Sequence, residues 1–409
     1  MLCYVVKRTP LLLGFTIMPS FLKGFLSIGI SSITRPSGQI YLKKTIKLLI
    51  DSLSEEDRRK VFLVIFLADF DESLKSATLN ELSILFKKYA DQGLLQVIFA
   101  PREFYPPLSD LKTKFGDSRQ RIFWRSKLVV AFAFLMCYCK DLSKYYLHLE
   151  DDLIPAPSFY LKLRHFITSQ KNPWPILDVA FMGHTAKVYH SSDLENNATY
   201  FYLMYDEMPG DWLIALWRKI KYDGQYYKEF VLPPASFFQH IGDSSSFIEN
   251  KNSHKSKERF FDEYDIKYKG LNPPANISSS MNSADGTKPE HAYNKGGGYF
   301  WANGIRKGDF IVIQFIPATT IREVFVETGS YLALTDHLKS GVLQASFMNN
   351  GSETEVNGAA NCKEFETIGD FKDGRVKVSL LESRKLFCLR VLVTGYQAGW
   401  LFVREIDVL

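Results

Sequence analysis

The chain has 409 residues, of which 46% are hydrophobic and 23% charged, and a formal net charge of +5. That length exceeds what one hydrophobic core usually supports, so two domains are expected, and the apolar share suffices to build both. So small a charge, with no long Lys/Arg run, excludes a dedicated nucleic-acid binder and leaves a globular protein with some other partner.

Residues 11–30, LLLGFTIMPSFLKGFLSIGI, are apolar, but Pro19, Lys23 and several small polar residues interrupt them as a spanning helix. No membrane anchor and no convincing cleavage site is evident. FLSIGISSI (25–33) and VFLVIFLADF (61–70) read as strands, and Leu42, Ile46, Leu49, Ile50 and Leu53 recur between them at helical spacing. A second helix follows, with Leu82, Leu85, Phe86 and Tyr89 on one face, then a strand over 94–100 and a long helix from about 118 to 139. That helix leads into the strand YYLHLE (145–150). Alternating strands and helices predict an α/β domain on a parallel sheet, which binds ligands outside the carboxyl ends of its strands.

Glu150, Asp151 and Asp152 fall at such an end, directly before Leu153-Ile-Pro. An Asp-Asp pair before a proline is often an ordinary turn. Three adjacent acids repel one another beside a buried strand end unless a cation offsets them, and a hard divalent cation there would also bind a diphosphate. Farther on, Asp211 in EMPGDWL is either a helix N-cap or a functional carboxylate. His240 in SFFQHIG is either a satisfied core residue or a metal ligand.

From about 250 to 298 the chain turns polar and rich in Gly, Pro, Ser and Asn, which reads as a linker. Beyond it, GDFIVIQFI (308–316), IREVFVETG (321–329), LFCLRVLVT (386–394) and WLFVREIDVL (400–409) alternate between turn residues, which predicts a β-sandwich. The cysteines are Cys3, Cys137, Cys139, Cys362 and Cys388, and none forms a C-x-x-C pair, which argues against a thiolate metal site. A Cys362 to Cys388 bridge is expected. With the acceptor triplets at Asn197, Asn276 and Asn350, it points toward the secretory lumen.

YYLHLEDDLIPAPSFY, GISSITR (29–35), APREFYPPLSDLKTKFGDSRQRIFWRSK (100–127), EMPGDWL (207–213) and SFFQHIG (236–242) resemble, in order and spacing, successive motifs of the alpha-1,3-mannosyl-glycoprotein 4-beta-N-acetylglucosaminyltransferase family. The similarity is greatest to its C branch and spans nearly the whole chain. The resemblance implies a Golgi-lumen enzyme: a stem remnant over 1–25, a GT-A-type domain over 26–250, a linker over 251–298 and a lectin-like β-sandwich over 299–409. It also implies inverting transfer of N-acetylglucosamine from UDP-N-acetylglucosamine, with a divalent cation, Mn²⁺ foremost, to O4 of the α1,3-linked mannose of N-glycans on glycoproteins.

By the same resemblance, Asp152 and His240 contact the metal, Glu150 and Asp151 the ribose or donor sugar, and Asp211 is the base. Arg35, Asp69, Arg125 and Lys127 are candidates for uridine and phosphate contacts, and Asp336 for gripping a sugar hydroxyl beside Trp301 or Trp400. Loop placement for Asp336 and core packing for the tryptophans are the plainer readings. The sequence departs from the family at Asp178-Val-Ala, where relatives carry Glu-Phe-Ser, and at VLPPASFF (231–238), which lacks an upstream basic residue. These departures keep open a second class of function: a weakly active or silent glycan-binding regulator of other Golgi transferases.

Overall fold

A computed structural model describes residues 3, 24–35, 37, 41–181, 185–221, 231–233, 235–242, 246–247, 261–262, 272–284, 286–294, 299–329, 335–348, 362–380 and 384–409. They form two compact units, the first comprising Met1–Tyr160, Gln170–Leu232 and Ser236–Asp262, the second Leu161–Ser169, Pro233–Ala235 and Glu263–Leu409. Most of the stretch 1–25 and residues 251–260 of the expected linker lie outside the described residues.

The first unit is a mixed α/β fold on a six-stranded sheet of order β3-β2-β1-β4-β7-β6. Its strands are β1 (Gly24–Ser32), β2 (Val61–Leu67), β3 (Leu95–Ile98), β4 (Ser143–Glu150), β6 (Leu177–Asp178) and β7 (Lys187–His190), while β5 (Leu153–Pro155) pairs elsewhere. β1 runs parallel to both β2 and β4, and β2 parallel to β3, as the alternating pattern predicts. β7 is antiparallel to β4 and to β6, so the sheet is not all-parallel. The connection 179–186 between β6 and β7 is too short for a crossover helix and permits only an antiparallel return.

Helices cover the sheet because their apolar faces recur at helical spacing. α1 (Leu42–Asp51) buries Leu42, Thr45, Ile46, Leu49 and Ile50. α2 (Glu72–Leu85) starts where the Asp71 carboxylate accepts from the backbone N–H groups of Ser73 and Leu74. α3 (Arg119–Cys139) starts where Ser118 Oγ accepts from the Arg121 N–H at 3.2 Å. Among the described residues, α3 is the one helix long and apolar enough to cross a membrane, yet it lies buried in the core beside Phe66, Phe104, Tyr146 and Phe201. That setting accounts for its all-round apolarity. A Cys3–Cys137 disulfide, which the sequence reading did not foresee, fastens residue 3 to α3. Most of α4 (Phe159–Ser169) falls in the second unit, while α5 (Leu194–Leu203), α6 (Gly210–Ile220) and β8 (Phe238–His240) belong to the first.

The second unit is a sandwich of two five-stranded sheets. One has the order β10-β11-β18-β13-β16 and the other β15-β14-β17-β12-β9. The strands are β9 (Ala275–Ser279), β10 (Asn282–Ser283), β11 (Phe300–Asn303), β12 (Phe310–Thr319), β13 (Glu323–Thr328), β14 (Gly341–Phe347), β15 (Glu366–Asp370), β16 (Arg375–Ser379), β17 (Leu386–Val393) and β18 (Leu401–Val408). Phe300, Ile311, Ile313, Val324, Leu343, Val391 and Val403 fill the space between the sheets. The expected Cys362–Cys388 bridge is present.

The linker reading fails over its last part. β9 and β10 belong to the sheets, and a one-turn helix, α7 (Pro289–Tyr293), packs with them. β9 is an edge strand with alternate residues exposed, so its sequence ANISS is polar enough to pass for a linker. Asn272 closes the unit: its Nδ2 donates to the carbonyls of Tyr293 and Ile406 at 2.6 and 2.7 Å, and its Oδ1 accepts from Val408 N at 3.0 Å.

Candidate active site

The acids lie where β4 ends. Glu150 is the last residue of β4, Asp151 and Asp152 follow, and β5 then pairs antiparallel with β8 so that Leu153 faces His240. This pairing brings two distant motifs together. Ile241 N donates to the Asp152 carbonyl at 2.9 Å, and His240 Nε2 stands 3.1 Å from Asp152 Oδ2. One ligand atom from each of Glu150, Asp152 and His240 lies within 4.8 Å of the others.

Arg35, on the loop after β1, supplies the internal counter-charge. Its guanidinium donates to Asp151 Oδ1 at 2.7 Å, to Asp151 Oδ2 at 3.1 Å and to Asp152 Oδ2 at 2.9 Å, and stacks 4.7 Å over the Tyr41 ring. Ser32 Oγ donates to Asp151 Oδ2 at 2.5 Å. Arg35 therefore neutralises the acids, whereas the sequence reading assigned it to phosphate or uridine. Burial, with Asp152 alongside, pushes the Glu150 carboxyl up to about 7. Burial also raises Asp151 despite Arg35. For Asp152, burial opposes ionisation, yet His240 and Arg35 hold the carboxyl below its usual range. Asp152 Oδ1 and His240 Nδ1 are buried without a hydrogen-bond partner among the described residues. Two carboxylates and an imidazole are a donor set that fits a divalent cation.

A cleft opens at the carboxyl ends of β2 and β3, lined by Asp69, Phe70, Lys75, Phe99, Arg102 and Tyr105. Thr34 N and Oγ1 donate to the Asp69 carboxylate at 3.1 to 3.2 Å. Since Arg35 is the next residue, the Thr34-Arg35 segment bonds to Asp69 on one side and to the acids on the other. The Phe70 ring carries Arg102 at 4.1 Å and Lys127 at 4.2 Å, with Tyr105 edge-on at 4.7 Å. Burial pulls the Lys127 ammonium down to about 8. An aromatic face, a carboxylate acceptor and cations suit a planar heterocycle with an anionic tail. The sequence reading named Asp69 and Lys127 but missed Phe70 and Arg102. Phe70 follows Asp69 directly and Arg102 lies in a quoted motif, both just past strand ends.

Other candidates fall elsewhere. Arg125 is buried and paired with Asp117 at 3.3 Å. Asp211 is the second residue of α6 and is exposed; it is not the cap, which is Pro209. Asp178 is buried, with Arg218 at 2.5 and 2.6 Å and Lys187 at 2.8 Å, so the departure there keeps a carboxylate in a structural ion cluster. In the second unit, Asp336 is buried rather than solvent-facing and accepts from the Trp301 indole at 2.9 Å, and the Trp301 and Trp400 rings lie 4.8 Å apart.

The MGAT4 conserved region matches residues 13–259, and the MGAT4 C-terminal domain matches residues 275–405. The chain belongs to the MGAT4 family. Relatives in the MGAT4 family include alpha-1,3-mannosyl-glycoprotein 4-beta-N-acetylglucosaminyltransferase C of Sus scrofa, 33% identical over 96% of this chain and 80% of its own length. The alpha-1,6-mannosyl-glycoprotein 4-beta-N-acetylglucosaminyltransferase of Gallus gallus is also 33% identical, over 94% of this chain and 81% of its own. These relatives are glycosyltransferases, and membership makes this chain part of a glycosyltransferase family. Among solved structures, a chitosan-binding module from a Paenibacillus chitosanase/glucanase is similar over 35% of this chain and 99% of its own, at 14% identity and a TM-score of 0.27.

Proposed function

We propose that the chain is an inverting transferase on a GT-A-type fold. It moves N-acetylglucosamine from UDP-N-acetylglucosamine to O4 of the α1,3-linked mannose of an N-glycan in the Golgi lumen. The observation that carries this reading is the Glu150, Asp152 and His240 cluster at the end of β4, with Asp152 Oδ1 buried and unpartnered among the described residues and a cation-rimmed aromatic cleft next to it.

In this reading Asp69, Phe70 and Arg102 hold the uridine, and Lys127 offers its positive charge to the donor phosphates. Asp152 and His240 would hold a divalent cation, whose charge would offset that of the diphosphate leaving group. Arg35 keeps Asp151 fixed, so the strand end is rigid when the donor enters. Asp211 takes the proton of the acceptor hydroxyl as the O4–C1 bond forms and the C1–phosphate oxygen bond breaks. One displacement turns the α-linked donor into a β-linked product. In the second unit, the Trp400 ring, 38% exposed, offers a stacking face for a sugar, and Asp336 orients its neighbour Trp301. The Cys3–Cys137 and Cys362–Cys388 bridges suit an oxidising lumen.

The test is a transfer assay with UDP-N-acetylglucosamine and Mn²⁺ against N-glycans with a free α1,3 or α1,6 mannose arm, the two arms named in the relatives. Transfer to the α1,3 arm is expected, with Asp211→Asn lowering turnover by roughly 10²–10⁴-fold while donor binding survives. A chain that binds glycan but transfers to no arm would instead be the silent regulator.

A further inference from the structure

Next to Asp211, two aromatic rings stand in solvent. Trp212 is 49% exposed and Phe115 55% exposed, and they meet edge to face at 4.9 Å. Neither belongs to the core cluster that α3 and α6 share, so packing does not explain them. Phe115 also adopts a left-handed backbone, φ +61°, followed by Gly116 at φ +70°. A bulky residue seldom takes that conformation unless its surroundings impose it, and such residues gather at functional sites.

The surroundings here do impose it. The segment before Phe115 is fastened to α5 and the turn after it: Tyr202 Oη donates to the Phe104 carbonyl and Tyr205 Oη to the Pro107 carbonyl, each at 3.0 Å. Lys112 pairs with Glu207 at 3.2 Å, and Lys114 pairs with the same carboxylate. On the other side, Asp117 holds Arg125 at 3.3 Å, and the Arg125 guanidinium lies 5.8 Å from the Phe115 ring centroid. The ring pair is thus built before any ligand arrives. Preorganised aromatic area is what a weakly hydrated sugar face uses for binding, because little side-chain freedom is lost on contact.

We propose that Phe115 and Trp212 form the platform on which a sugar ring of the acceptor glycan stacks, with the Asp211 carboxylate on the adjoining residue available to its hydroxyl. The proposal rests on the transferase reading for the identity of the occupant. It adds the acceptor side, which neither the acid cluster nor the Phe70 cleft supplies.

The experiment uses the full chain with indole ¹⁵N labelling and the Trp212 resonance assigned by its loss in Trp212→Phe. Adding a biantennary N-glycan should shift the Trp212 signal, and adding UDP alone should not. In the transfer assay, Trp212→Ala and Phe115→Ala should each raise the acceptor KM about tenfold, the factor that about 1.4 kcal/mol carries, with UDP affinity unchanged. Trp212→Phe should recover most of the loss. A Trp212 signal unmoved by glycan, or one that broadens only with protein concentration as at a contact between copies, overturns the proposal. The resonance reads binding without turnover, so a chain that transfers nothing defeats the transferase reading while the signal still decides the platform.

Discussion

Gly242 leaves no room for a side chain. An added Cβ would stand 2.2 Å from Asp152 Oδ2 and 3.0 Å from His240 Cε1, so Gly242→Ala displaces the carboxylate while leaving Glu150, Asp152 and His240 in the sequence. Mn²⁺-dependent UDP binding, followed by calorimetry, should fall in Gly242→Ala as far as in Asp152→Ala, with circular dichroism unchanged in both. Full affinity in either variant removes the metal role from Asp152. Lys127 gives a pH signature. Its burial-lowered ammonium is charged below about 8 and neutral above, so UDP affinity should decline as pH rises through that value. Lys127→Arg stays charged throughout and should flatten the decline, because a guanidinium does not titrate in this range. Much of the site was legible residue by residue, since three acids at a strand end need a counter-charge. The source of that charge was not. Arg35 lies over a hundred positions from Asp151, and only the parallel pairing of β1 with β4 sets the two side by side.

Among the elements, α6 and the β6–β7 return matter as one unit. Asp178 on β6 accepts from Arg218 on α6 and from Lys187 on β7, all three buried, so an ion cluster binds the helix that presents Asp211 and Trp212 to the sheet edge. Asp178→Ala leaves two buried cations without their carboxylate and should cost about 3–5 kcal/mol. A lowered midpoint in denaturant checks this, and Asp178→Glu should recover most of it; an unchanged midpoint would mean the cluster adds nothing. The strands β1, β2, β3 and β4 and the helix α3 were readable from apolar runs and spacing, because each is buried on both faces or all round. The reversal at β7 was not readable, because strand direction depends on connection length and not on composition. β9 was missed for the opposite reason: two of its five residues are exposed, and its pairing with β12 supplies the order that its sequence conceals.

At the scale of the whole molecule, the two bridged cysteine pairs and the glycan triplets speak to the compartment together. Asn276 is exposed on an edge strand, whereas Asn197 is buried within α5 with both side-chain polar atoms unpartnered among the described residues, and Asn350 lies outside them. If the chain is made in the secretory pathway, an endoglycosidase mass shift should disappear in part with Asn276→Gln and not with Asn197→Gln. A protein with no glycan at Asn276 would count against lumenal residence. The change in composition near residue 250 does not show where the sandwich starts, because Asn272 works through side-chain contacts across the domain. Those contacts join Asn272 to Ile406 and Val408, so the sandwich begins and ends at one place. Its chain is in effect a ring cut once. A circular permutant that links these ends by a short peptide and opens at the exposed turn near Tyr396 should keep both sheets, and the sandwich could be inserted into a loop of another protein without prising that loop apart.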